Sequence, residues 1–241
     1  MEGQNEYEYL KPREELETIV NEINNSLDLP DGLHIEISST ERTGALVDFL
    51  ADHFIPDEPL SKSLGLVMNE EGKQWHVQRF SENLSILLID DVTSDVVGVR
   101  TICTCRKNDK IPFEDTPDNT QWKIFQFLYH KREEMDVFKR FDVNVAFKLA
   151  HVAVRADYRR LGLATKLIEA ALMFCSRSGL KKPCVTSEGT SPFTRNIYDK
   201  NGFDVLHTFY FDDYLINGDV VFKNMGDNLY TKIYAKQLTE L

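Results

Sequence analysis

No stretch of this 241-residue chain reaches the ~18 apolar residues of a membrane span. Residues 1–17 are acidic and polar, without the apolar segment of a secretion signal. A basic excess is missing too: 28 Lys and Arg stand against 39 Asp and Glu, a net charge of −11. Binding to nucleic acid needs cations that neutralise phosphates, so that class is excluded as a partner. Cysteine is sparse, with Cys103, Cys105, Cys175 and Cys184, and no C-x-x-C pair occurs. Cys103 and Cys105 share one face of a strand and read as buried reduced thiols. A zinc site would need two more ligands at matching spacing, so no metal is expected. These absences set the expectation of a cytoplasmic chain without a membrane partner. Neither G-x-x-x-x-G-K-[ST] nor a G-x-G-x-x-G after a strand occurs, so ATP and NAD lack their phosphate loops. Internal repeats and low-complexity linkers are absent as well.

What is present suffices for a core: 42% hydrophobic residues and 11% aromatics. Leu16, Ile19, Val20, Ile23 and Leu27 recur at helical spacing over residues 12–29. Residues 34–38 alternate as a strand. A helix is predicted over 41–53 with Thr40 as its cap. Pro56 and Pro59 then bracket Asp57 and Glu58 in a turn. Helix 61–69, strands 84–89 and 96–104, a polar loop 107–120 and a helix over 121–138 follow. The second half alternates: strand 145–154, helix 162–178, strand 184–187, helix 191–200, then strands 203–211 and 229–236. This order predicts one layered mixed α/β sheet.

Residues 152–165 are the most informative stretch. A buried strand, Val152-Ala153-Val154, enters a basic loop that opens a helix at Gly162. The first turns of a helix leave amides unpaired and aimed outward, and the helix dipole favours an anion there. Gly162 and Ala164 are small enough for close approach of a diphosphate. Four cations (Arg155, Arg159, Arg160, Lys166) face one carboxylate, Asp157, against the acidic balance of the whole chain. The competing reading is a solvated basic loop.

Arg159-x-x-Gly162-x-Ala164 after a strand resembles the coenzyme A loop of the GNAT superfamily of N-acetyltransferases. Tyr198-Asp199-Lys200-Asn201-Gly202-Phe203 is similar to the tyrosine-to-Gly-Phe segment those proteins carry about forty residues later. Asp57-Glu58-Pro59-Leu60, Phe211-Asp212-Asp213-Tyr214 and the segment from Gly218 to Lys223 resemble the insect arylalkylamine (dopamine-type) branch. The likeness starts near His34 and implies an N-terminal helical extension, 1–33, before a GNAT domain, 34–241. It implies a central, mostly antiparallel twisted sheet, splayed at the cofactor strand, with helices on both faces. It also implies acetyl-CoA as co-substrate and a small primary amine as acceptor. Binding of coenzyme A falls to Val152, Ala153, Val154, Arg159, Arg160, Leu161, Gly162, Leu163, Ala164 and Thr165.

Acetyl transfer to an amine asks for a base, an oxyanion donor and an acid. Composition alone reads Glu58 as an exposed turn carboxylate; the resemblance makes it the base, which asks for a desolvated setting. The resemblance gives the oxyanion donor to a strand amide, that of Val152 first. Tyr198 matches the family's tyrosine near the sulfur, while the insect branch often has two hydroxyls four residues apart, here Thr190 and Thr194. His151 has the parity of Ala153 and reads as a packed histidine. Trp122 and Phe125 wall either an aryl pocket or a core. Polyamine, agmatine and amino-acid amines stay open as acceptors, as does a non-catalytic coenzyme A sensor.

Overall fold

Seven strands form one sheet in the order β1-β2-β3-β4-β5-β9-β6. The computed structural model describes residues 10–107, 109, 120–133 and 135–239. The strands are β1 (Leu33–Ile37), β2 (Ile86–Asp90), β3 (Val96–Arg106), β4 (Val145–Val154), β5 (Cys184–Gly189), β6 (Asp204–Tyr210) and β9 (Tyr230–Gln237). A small separate hairpin holds β7 (Leu215–Ile216) and β8 (Asp219–Val220). Every pairing in the large sheet is antiparallel except β4 with β5. That parallel pair registers only at Phe147↔Val185 and Lys148↔Thr186. Beyond Lys148 the two strands part and leave a gap in the middle of the sheet. A bulge in β4 opposite Thr101 sits at the same point, where the register steps from Ile102↔Leu149 to Arg100↔Val152. One extra residue there flips the side-chain parity of the strand's second half.

One face of the sheet is covered by α1 (Arg13–Ser26), α7 (Leu163–Arg177) and α8 (Pro192–Lys200). Leu16, Ile19, Val20 and Ile23 of α1 enter the same core as Leu167, Ile168 and Phe174 of α7. The 3.6-residue spacing of these side chains makes both helices one-faced, and burying that face is what fixes them. The other face carries α2 (Thr40–Phe49), α3 (Pro59–Leu64), α4 (Glu70–Arg79), α5 (Thr120–Glu133) and α6 (Val137–Phe141). Their buried side chains form smaller apolar clusters against β2, β3 and β9. All four cysteines are buried thiols, and burial pushes Cys103 up to about 11 and Cys184 up to about 12.

Four expectations need correction. Thr40 is the first helical residue, and Ser39 takes the cap position. The helix predicted over 61–69 runs Pro59–Leu64 and stops at Gly65, whose φ of 61° is a left-handed terminus that suits glycine. Residues 70–79, given no element from the sequence, form α4: Asn69 caps it by accepting from Gly72 N. The helix predicted over 121–138 is two helices, because Asp136 caps a new one by accepting from Lys139 N at 2.9 Å. The polar loop predicted over 107–120 lies mostly outside the described residues.

Candidate active site

A cavity of 580 Å³ opens beside the fork of β4 and β5. Glu58, Val152, Thr190, Thr194 and Tyr198 all line it, though they come from three separate stretches of chain. Three local devices position the groups in and around it.

The first positions Glu58. After α2 the helix widens into a π turn over Leu50–Phe54, closed by Ile55 N donating to Leu50 O at 3.0 Å. Such turns are rare and cost regular hydrogen bonding. Phe54, at its end, joins the cavity wall. Pro59 is the first residue of α3, where its missing N–H costs nothing. Glu58 is therefore the N-cap, and its Oε2 accepts from Ser61 N at 2.7 Å and Ser61 Oγ at 2.8 Å. Its other oxygen, Oε1, is buried and has no hydrogen-bond partner among the described residues. Glu58 is 8% exposed, so the exposed-turn reading from composition is corrected. One oxygen holds the helix; the other is buried and unspent.

The second device is the splay. His151 N donates to Thr101 Oγ1 at 2.7 Å and Arg155 N donates to Val97 O at 2.9 Å, so both amides face β3. Alternation along the strand then turns the amides of Val152 and Val154 toward the gap. The amide of Ala153 turns back to β3, opposite Val99, and its side chain is buried in the α2 cluster. Of the three strand residues expected to meet the cofactor, Ala153 thus has no donor to offer.

The third device is the start of α7. Gly162 caps it with φ 74°, a conformation that L side chains rarely adopt, and a Cβ built there meets nothing within 4 Å. The amides of Gly162, Leu163 and Ala164 make no hydrogen bond among the described residues, while Thr165 N and Lys166 N already donate to Gly162 O. Arg160 and Leu161 are exposed beside these amides, and the Leu163 side chain is buried in the core. Arg159 Nη2 pairs with Asp57 at 2.6 Å and its Nε donates to Val154 O at 2.9 Å. This residue joins the basic loop to the residue before Glu58. The loop lies outside the cavity lining, on the other side of the fork from Glu58's helix.

Tyr198, 1% exposed, reaches the fork from α8. Its hydroxyl meets Arg100 Nη2 at 2.8 Å and Ser187 Oγ at 2.6 Å. Thr194 Oγ1 lies 2.9 Å from Ser191 Oγ, and Ser191 caps α8 by accepting from Thr194 N. Thr190 is held through its carbonyl, which accepts from Asn228 Nδ2 at 2.8 Å.

The cavity's far wall is aromatic: Phe54, Trp75, Phe80, Phe125 and Tyr129. Phe125 packs on Trp75 at 4.4 Å between centroids. Trp122 touches Trp75 from behind and does not line the cavity. His76 and His151 sit among these rings, 5.5 Å apart. Burial pushes His76 down to about 4, partly opposed by its bond to Gly72 O. Burial also holds His151 well below the usual histidine range, with His76 and Arg100 adding to it. Both rings are therefore neutral parts of the wall near neutral pH.

Sequence reasoning missed Arg100, Lys148, Glu188 and the whole of α4. A signal existed for the first two. Each is a cation inside an otherwise apolar strand run, and a charge in that setting needs a reason.

A sheet forked at its one parallel pair among the described residues, with a glycine-opened helix on one side and a cavity on the other, is the arrangement of the GNAT acetyltransferase fold. Residues 127–205 match the family model described as the acetyltransferase (GNAT) domain. The chain carries that domain, and its class of chemistry is N-acetyl transfer. It is similar to arylalkylamine N-acetyltransferase 2 from Aedes aegypti, at 25% identity and a TM-score of 0.79, over 87% of this chain and 100% of that one. The fold is also that of a mosquito arylalkylamine N-acetyltransferase-like protein 5b, at 17% identity and a TM-score of 0.77, over 86% and 100%. A polyamine N-acetyltransferase of Drosophila melanogaster, which forms N-acetylagmatine, shares it at 16% identity and a TM-score of 0.72, over 86% and 100%.

Proposed function

We propose that this chain transfers the acetyl group of acetyl-CoA to a small primary amine bearing an aryl group. The observation that carries the reading is the meeting of Glu58 Oε1, the gap-facing amide of Val152 and the Tyr198 hydroxyl around one forked cavity. The free amides of Gly162, Leu163 and Ala164, with Arg159, Arg160, Leu161 and Thr165 around them, fit the diphosphate of coenzyme A. The gap between β4 and β5 leads from there to the cavity.

An alkylammonium has no lone pair, so the acceptor must first give up a proton. Glu58 Oε1 takes it, directly or through a water. The amine nitrogen then adds to the thioester carbonyl, and the Val152 amide donates to the oxygen that becomes charged. As the C–S bond breaks, Tyr198 gives its proton to the sulfur. Thr190 and Thr194, which line the same cavity, are the second choice for that donor.

The aromatic wall supports an aryl group on the acceptor. Cations (Arg79, Arg100, Arg106, Lys148) and carboxylates (Glu58, Glu82, Asp109, Glu188) line the same space in equal number, and Lys148 is paired with Glu188, so the rings and not the charge favour the aryl acceptor. The test is release of free thiol from acetyl-CoA over a panel of aryl, polyamine and amino-acid amines, beside calorimetry of coenzyme A binding. Fastest turnover with an arylalkylamine supports the reading. Preference for agmatine or spermidine replaces the acceptor. Firm binding without turnover of any amine makes the chain a coenzyme A sensor.

A further inference from the structure

Arg100 lies in mid-β3 and is 0% exposed. Its Nη2 donates to the Tyr198 hydroxyl, while Nε and Nη1 are buried without a partner among the described residues. No described carboxylate forms an ion pair with it. Taking a guanidinium out of water without a counter-charge costs several kcal/mol, roughly, and an apolar side chain of like volume is often neutral or stabilising in its place. Packing therefore gives no account of an arginine here.

The hydrogen bonds around Tyr198 have a fixed direction. Ser187 Oγ lies 2.7 Å from Leu149 O, and a carbonyl can only accept, so the serine's one proton is spent there. The contact of 2.6 Å between Ser187 Oγ and Tyr198 must then carry the tyrosine's proton. Arg100 can only donate. The order runs from Arg100 to Tyr198 to Ser187 to the carbonyl of Leu149, and it ends at the fork itself.

We propose that Arg100 is a positioning residue for acetyl transfer: it fixes the Tyr198 hydroxyl at the fork and neutralises the charge left on that oxygen. The proposal rests on the reading of Tyr198 as the acid. In the step, the Tyr198 hydroxyl turns its proton from Ser187 to the departing sulfur; its O–H bond breaks and an S–H bond forms. The phenolate oxygen then accepts from Arg100 Nη2 and from Ser187, whose proton swings away from Leu149 O. The second proton of the nitrogen leaves to water as the intermediate collapses, and water returns a proton to Tyr198, while Glu58 gives its proton to solvent. Over the whole reaction the alkylammonium loses two protons, the sulfur gains one and one leaves to solvent.

The test compares Arg100→Met, Arg100→Lys, Tyr198→Phe and the double variant Arg100→Met/Tyr198→Phe in the full chain, using the best amine of the panel. Arg100→Met should lower kcat roughly tenfold to a hundredfold, with the coenzyme A dissociation constant within about twofold. Arg100→Lys should restore part of that loss, because the charge returns without the fork geometry. The double variant should be no slower than Tyr198→Phe alone, since both changes remove one device. Arg100→Gln, which keeps an amide donor, serves as the probe if the methionine chain fails to fold, with the same loss expected. Full kcat in Arg100→Met or Arg100→Gln overturns the proposal, as do losses that multiply in the double variant. Full kcat in Tyr198→Phe overturns the acid reading and this proposal together. A slow Tyr198→Phe beside an unaffected Arg100→Met overturns this proposal alone.

Discussion

Lys148 on β4 and Glu188 on β5 close an ion pair across the fork where the two strands part, both side chains less than a tenth exposed. Lys148 holds the last register position of β4 with β5, opposite Thr186; Glu188 lies two residues beyond it, and both line the cavity. Buried pairs are poor sources of net stability, yet removing one partner strands the other charge. Lys148→Met alone should cost about 3–5 kcal/mol in urea unfolding. The double change Lys148→Met/Glu188→Leu should recover most of that. Two losses that simply add would mean the charges act independently.

Arg159 and Asp57 link the basic loop to the turn of Glu58, through a contact of 2.6 Å that is open to solvent. An exposed pair contributes less than about 1 kcal/mol to stability. The double charge reversal Arg159→Glu/Arg160→Glu should therefore leave the urea midpoint nearly unchanged. Coenzyme A binding should weaken by roughly tenfold or more, because two carboxylates would face its phosphates. Calorimetry that finds equal affinity in both proteins would remove these cations from the cofactor site.

Glu58 holds α3 with one oxygen and leaves the other unspent, so its two duties can be separated. Glu58→Gln keeps a carbonyl oxygen for the cap, and stability should fall by no more than about 1 kcal/mol. Its loss of basicity should lower kcat/KM by roughly a hundredfold or more near neutral pH. The deficit should shrink as the pH approaches that of free-amine deprotonation, near pH ~10, where no base is needed. A deficit constant across pH would assign Glu58 to binding.

The second half of the fold was readable because its signals are local. The apolar run of β4 and the cations around Gly162 each act within a few residues, and the strand bounds Val145–Val154 match those expected. Helix α4 escaped because its sequence, Glu-Glu-Gly-Lys-Gln-Trp-His-Val-Gln-Arg, has no apolar stripe; only Gly72 and His76 are buried in it. The split between α5 and α6 escaped because a run of aromatics hid the capping Asp136. At the site, Glu58 and Tyr198 were legible through motif likeness. Arg100 showed only as a cation in an apolar strand, and Glu188 not at all, since each acquires its partner from a helix or strand distant in sequence.

Gly189 ends β5 beside Thr190 and marks a close approach. A Cβ there would lie 2.8 Å from Arg195 Cγ and 2.8 Å from the Tyr234 ring. Neither neighbour yields easily. Arg195 Nη1 is fixed by Asn228 Oδ1 at 2.8 Å and Tyr230 O at 2.7 Å, and Tyr234 is fully buried. Gly189→Ala should cost about 1–3 kcal/mol by overpacking and disturb the cavity edge at Thr190. An unfolding midpoint equal to that of the parent chain would show that Arg195 can move aside.

His76 makes stability depend on acid. Its ring is 1% exposed, Nδ1 lies 2.7 Å from Gly72 O, and burial lowers its folded-state value to about 4. The unfolded chain takes up that proton below pH ~6.5. Between those values the unfolded state binds more protons, so stability falls as the pH falls. The contribution is fully present above pH ~6.5 and fades toward pH 4, by about 1–3 kcal/mol. His151, shifted in the same direction by the same burial, adds to the slope. His76→Phe keeps a ring against Trp75 and Phe80 but has no proton to gain. Its urea midpoint should decline less than the parent's between pH 6.5 and 4.5. Parallel declines in the two chains would assign the acid sensitivity to carboxylates elsewhere.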